Sequence, residues 1–123
     1  MKDIETRKDI DALMQEFYKR ALADKKIGFI FTDIMKLDLE HHLPIIGDFW
    51  ESLLLGAGNY HQHGRNPMRV HEEINRKVEL KHEHFERWLE IFNGVVDEMF
   101  EGELSRHAKL RANAIAQNIQ RFI

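Results

Sequence analysis

Cysteine is absent from this 123-residue chain. That excludes disulfides and thiolate-held metals, and it makes a cytoplasmic location the expectation. Proline occurs only twice and glycine seven times, so no linker or low-complexity segment interrupts the chain. No apolar run approaches the roughly 18 residues that a membrane span needs. The opening stretch "MKDIETRKDID" is too polar for a signal peptide. Charge of one sign is missing too: 18 Lys and Arg face 21 Asp and Glu, for a net charge of −3. That balance leaves no electrostatic footprint for nucleic acid or an anionic membrane surface. No stretch alternates with period two for long, so hairpins are not expected. There is no G-x-S-x-G, P-loop or dinucleotide fingerprint, and "HEEIN" lacks the second histidine of a zinc-protease motif.

What is present is helical periodicity. Residues 8–23 carry Ile10, Leu13, Met14, Phe17, Tyr18, Ala21 and Leu22 on one face. Thr6 and Asp9 form a weaker relative of a capping box before it. "KKIGFIFTDIM" reads as a tight turn or a piece of 3₁₀ helix. A second helix is expected over 39–55, with Ile46, Phe49, Trp50, Leu53 and Leu54 buried and Gly56 at its C′ position. Pro44 conflicts with an unbroken helix, because it removes a donor and crowds the preceding turn. A start or a kink near His42 resolves the conflict. In "GRNPMRVH", Asn66 can cap and Pro67 can open a short helix carrying Met68, Val70, His71 and Ile74. Residues 75–82 are polar and show no clear pattern. A long helix over 83–100 carries Phe85, Trp88, Leu89, Phe92, Val95, Val96 and Met99, and Gly102 ends it. The last helix, over 104–122, uses Leu104, Ala108, Leu110, Arg111, Ala114, Ile115, Ile119 and Phe122. The class is all-α, a single domain over 1–123, and the short helix argues against a regular four-helix bundle.

Several polar side chains share these apolar faces. Tyr18 points inward, as a core-edge tyrosine with a wet tip or as a buried donor. His42 continues the face of Ile46 and Trp50, as a boundary histidine or a functional one. Trp88 lies in mid-stripe and is expected in the core, and its indole N–H needs an acceptor if buried. Eight histidines occur, at 41, 42, 61, 63, 71, 82, 84 and 107. His71 sits on a helix too short to be stable by propensity. It is either structural or a metal ligand, since imidazole suits iron, copper and zinc.

The stretches "LMQEFYKRAL", "IGFIF", "HHLPIIGDFWESLLLGAGNY", "NPMRVH" and "HFERWLEIF", in this order and spacing, resemble the truncated haemoglobins, and among them group III. The resemblance covers residues 10–119. It implies a globin-like, two-over-two helical sandwich enclosing haem b. By that resemblance His71 is the proximal iron ligand. Tyr18, His42 and Trp88 form the distal ligand-binding pocket, and Phe31 packs on the haem. Ile46, Phe49, Trp50, Phe85 and Phe92 line or support the cavity. Arg65, Arg69 and Lys77 become candidates for the propionates, with Arg69 preferred. The implied ligands are O₂, NO and CO.

A bound diatomic ligand carries partial negative charge, and a hydrogen bond to a charged group contributes about 1.5–3 kcal/mol. Two such bonds slow O₂ release by on the order of 10²–10⁴. Handling of oxygen or NO is therefore expected, rather than bulk transport. An NO dioxygenase or peroxidase-like enzyme served by an external reductase is the alternative. A cofactor-free helical interaction module, with structural or zinc-binding histidines, is the reading from a different class.

Overall fold

The structure is a computed structural model that describes residues 1–56, 75–76 and 79–122, with the backbone alone at 122. Among the described residues, four long helices follow one another: α1 (Arg7–Ala23), α2 (Leu39–Leu55), α3 (His82–Met99) and α4 (Glu103–Phe122). A π-helical turn at Ile30–Ile34 lies between α1 and α2. No strand occurs among the described residues. α1 packs on α2 and on α3, and α3 packs on α4. The described residues are all-α, as the periodicity predicts.

Local chemistry sets the helix ends. The Asp9 carboxylate accepts the backbone N–H groups of Glu5 and Thr6 at 2.9 and 3.1 Å, which fixes the start of α1. Gly56 ends α2 with φ +71°, a left-handed conformation that glycine adopts without strain. The start of α4 is capped from the other end of the chain. Asp3 accepts the N–H groups of Leu104 and Ser105, both at 2.8 Å. Gly102 makes that approach possible. Its φ is +151°, and a β-carbon there would stand 2.6 Å from Asp3 Cβ.

Phe17 is at the centre of the core. Its ring meets Tyr18, Trp88 and Phe92 edge-on, with centroids at 5.0, 5.8 and 5.7 Å. Phe92 in turn stacks on Trp50 at 5.0 Å and on Trp88 at 5.6 Å. These five rings join α1, α2 and α3. At the outer edge of α1 and α2, Arg7 reaches Asp11, Asp48 and Glu51 at 2.6–3.0 Å, and the Pro44 carbonyl at 3.2 Å.

Four expectations need correction. α2 begins at Leu39, as the 39–55 pattern predicts, but the alternative of a start near His42 is ruled out: the helix runs through Pro44, with His42 N–H bonded to the Asp38 carbonyl at 2.9 Å. The Arg7 clamp holds that stretch from outside. The turn before α2 is π-helical rather than 3₁₀, because Met35 N–H reaches back five residues to the Ile30 carbonyl at 2.9 Å. Trp88 is only partly buried. Finally, α4 buries small residues: Ser105, Ala108, Ala112 and Ala116, with Ile119. Leu110, Arg111 and Ala114 of the expected stripe are exposed.

Candidate functional site

Two adjacent stripes run along α2. Gly47, Trp50 and Leu54 are buried in the core. His42, Ile46, Phe49 and Leu53 follow the spacing i, i+4, i+7, i+11 beside them, and all four are only partly buried. The sequence-based reading merged the two stripes into one apolar face and so treated Leu53 as core. The 42–46–49–53 spacing was the signal that separates them. α2 thus offers a second, partly covered apolar stripe with one imidazole at its start.

Tyr18 meets that imidazole. Its Oη lies 2.9 Å from His42 Nε2 and the rings are edge-on at 5.2 Å, so the tip of Tyr18 is bonded to protein rather than wet. Phe31, delivered by the π-helical turn, packs edge-on against Tyr18 at 5.9 Å. Thus α1, the turn and α2 bring Tyr18, His42 and Phe31 together. Tyr18 is 6% exposed. Burial pushes its phenol well above the usual range, so the hydroxyl keeps its proton through physiological pH. Which partner donates depends on the histidine tautomer.

On α3, Phe85 and Phe92 are buried and Trp88 is partly buried. Trp88 joins this group through its edge contact with Phe17. Its indole N–H makes no hydrogen bond to a described residue. Phe85 and Trp88 also pack with Ile115, Ala116 and Ile119 of α4. The proximal and propionate candidates, His71, Arg65, Arg69 and Lys77, lie outside the described residues. Among the described residues, no three His, Asp or Glu side chains gather to hold a metal ion.

The geometry is therefore a protonated phenol and an imidazole in contact, beside partly covered aromatic and aliphatic side chains. Comparison with known proteins gives this arrangement a family. The model of the bacterial-like globins matches residues 2–120. The "Group 3 truncated hemoglobin ctb" of Campylobacter jejuni is 29% identical over 120 residues, covering 95% of this chain and 90% of that protein. The crystal structure of a group III truncated hemoglobin from Campylobacter jejuni superposes with a TM-score of 0.84 at 30% identity, over 98% of this chain and 94% of that one. A family match across nearly the whole chain, an agreeing fold and a relative matched over most of its own length place this chain among the bacterial-like globins, as a group III truncated haemoglobin, a family of haem-based gas binders.

Proposed function

We propose that this globin, one domain over 1–123, carries haem b on His71 and binds O₂, NO and CO beneath Tyr18, His42 and Trp88. The observation that carries the reading is the Tyr18–His42 contact at 2.9 Å beside the partly buried stripe of α2. Large apolar side chains left half-covered along one helix, next to a buried hydroxyl, fit a flat apolar cofactor with a polar ligand at its centre. Ile46, Phe49, Leu53 and Phe31 offer the apolar contact. Trp50, Phe85 and Phe92 support it from the core. Arg69 is the preferred propionate partner.

His71 would hold the haem, which would supply an iron able to bind a gas. The chain's own residues decide how long the gas stays. Tyr18 keeps its proton and donates a hydrogen bond to a ligand carrying partial negative charge. His42 Nε2 sets the direction of that proton. With Nε2–H donating to the phenol oxygen, the Tyr18 O–H is left for the ligand. With Nε2 accepting, the two compete. The Trp88 N–H adds a second donor.

The same pair favours a second reading, because a phenol and an imidazole in contact can move a proton to a reacting ligand. NO dioxygenation or peroxidase-like turnover would then draw electrons from an external reductase. Hemin titration tests the first reading. Native protein is expected to saturate at one equivalent with a sharp Soret band, and His71→Ala to lose tight retention. Equal retention and unchanged axial ligation in His71→Ala would place the iron ligand elsewhere.

A further inference from the structure

We propose that the outer face of α4 docks an acidic electron-donor protein. α4 carries Arg106, Lys109, Arg111 and Arg121 against Glu103 as its one acidic residue, in a chain whose net charge is −3. Lys109 is tied to Asp97 at 2.6 Å. Arg106, Arg111 and Arg121 make no ion pair with a described residue. Elsewhere arginines are engaged: Arg7 with three carboxylates, Arg20 with Glu16 and Glu98, and Arg87 with Asp24 and Glu90.

The three unpaired guanidinium groups fall on one exposed arc of α4, with His107 and with Leu110, which is 63% exposed. At 1.5 Å per residue, Arg106 to Arg121 spans about 22 Å, comparable with the patch of about 800 Å² that one partner buries in a standard interface. Arginine is enriched in such patches, and unpaired cations on an otherwise acidic protein steer and orient an acidic partner. A membrane fits less well, because among the described residues Leu110 is the single large apolar side chain exposed on α4. A nucleic acid fits less well because three guanidinium groups spread over about 22 Å are sparse beside a duplex that carries a negative charge every ~1.7 Å.

The inner face of the same helix links this surface to the site. Ile115, Ala116 and Ile119 form a cluster with Phe85 and Trp88. The outer face therefore lies about one helix diameter, roughly 10 Å, from side chains assigned above to the haem pocket. An electron arriving at α4 has a single helix to cross. One electron leaves the reduced donor and converts ferric haem to ferrous; no bond or proton moves. The inference rests on the haem reading and deepens it by giving the external reductase a surface.

The test is stopped-flow reduction of the ferric holoprotein by a reduced, acidic [2Fe–2S] ferredoxin, with calorimetric binding of the same donor as a second readout. Arg106→Glu/Arg111→Glu/Arg121→Glu is expected to lower both rate constant and affinity at least about tenfold at low salt. The difference should vanish near 1 M salt, where the Debye length is about 3 Å. The triple lysine variant should behave as native, and reduction by dithionite should be equal in all three. Equal rates and affinities for the native and triple glutamate proteins at low salt would overturn the proposal. So would tighter binding of the native protein to anionic vesicles or duplex DNA than to the ferredoxin. Absence of a Soret band before any donor is added would overturn the haem reading, and this proposal with it.

Discussion

Tyr18→Phe removes one oxygen and keeps the ring. The edge contacts to Phe17 at 5.0 Å and Phe31 at 5.9 Å should survive, since both involve the ring alone. Two effects remain. The first is the lost bond to His42 at 2.9 Å. A neutral hydrogen bond contributes about 0.5–1.5 kcal/mol, so the midpoint of urea unfolding should fall modestly. The second is the lost donor to the ligand. A hydrogen bond to a group bearing charge is worth about 1.5–3 kcal/mol, so O₂ should dissociate roughly 10- to 150-fold faster. Stopped-flow replacement of O₂ by CO measures that rate directly. His42→Leu in the same assay reports the tautomer. If Nε2 accepts the phenol proton in the native protein, the variant frees Tyr18 for the ligand and slows release. If Nε2–H donates, the variant loosens Tyr18 and speeds release. A Tyr18→Phe off-rate within about twofold of native would refute the assignment of Tyr18 as the donor.

Three further outcomes concern the scaffold. Asp3→Ala should cost about 1–2 kcal/mol at neutral pH, the usual loss for a helix cap. Burial alone would raise the Asp3 carboxyl, but the N–H groups of Leu104, Ser105 and Ile4 hold it below its usual range. Its contribution is therefore full above the unfolded carboxylate range and lost as pH falls through the lowered folded value, so the gap between variant and native should close in acid; a pH-independent gap in urea titrations would contradict this. Gly102→Ala forces a side chain into positive φ and against Asp3. It should destabilise by about 1–3 kcal/mol, and an unchanged unfolding midpoint would show that Asp3 can retreat at no cost. Pro44→Ala restores a backbone N–H inside α2. Thermal stability should rise, by about 1–2 kcal/mol after the looser unfolded chain offsets part of the gain; a lowered melting temperature would mean that the proline ring itself packs productively.

Much of this fold was legible in the chain. The bounds of α2 and its glycine stop follow from the 39–55 pattern and Gly56, because a left-handed stop calls for a glycine. α1 was visible through its stripe and through Asp9. The misses share a cause: they depend on partners distant in sequence. Asp3 caps a helix that begins about one hundred residues later, and no local motif announces that. The buried face of α4 was misjudged because a periodicity reading weights large side chains such as Leu110. The real contact uses Ser105, Ala108, Ala112 and Ala116, small residues that let α3 come close. At the site, spacing placed Tyr18 and His42 on inward faces, but only the packing of α1 on α2 brings Oη to Nε2. Assignment of His71 to iron rests on "NPMRVH" and the family pattern alone.

The absorption spectrum of the purified protein, with and without CO, tests the central claim most directly. The account predicts a red protein whose Soret band sharpens and shifts when CO is added to the ferrous form. A colourless protein that takes up no added hemin would contradict it.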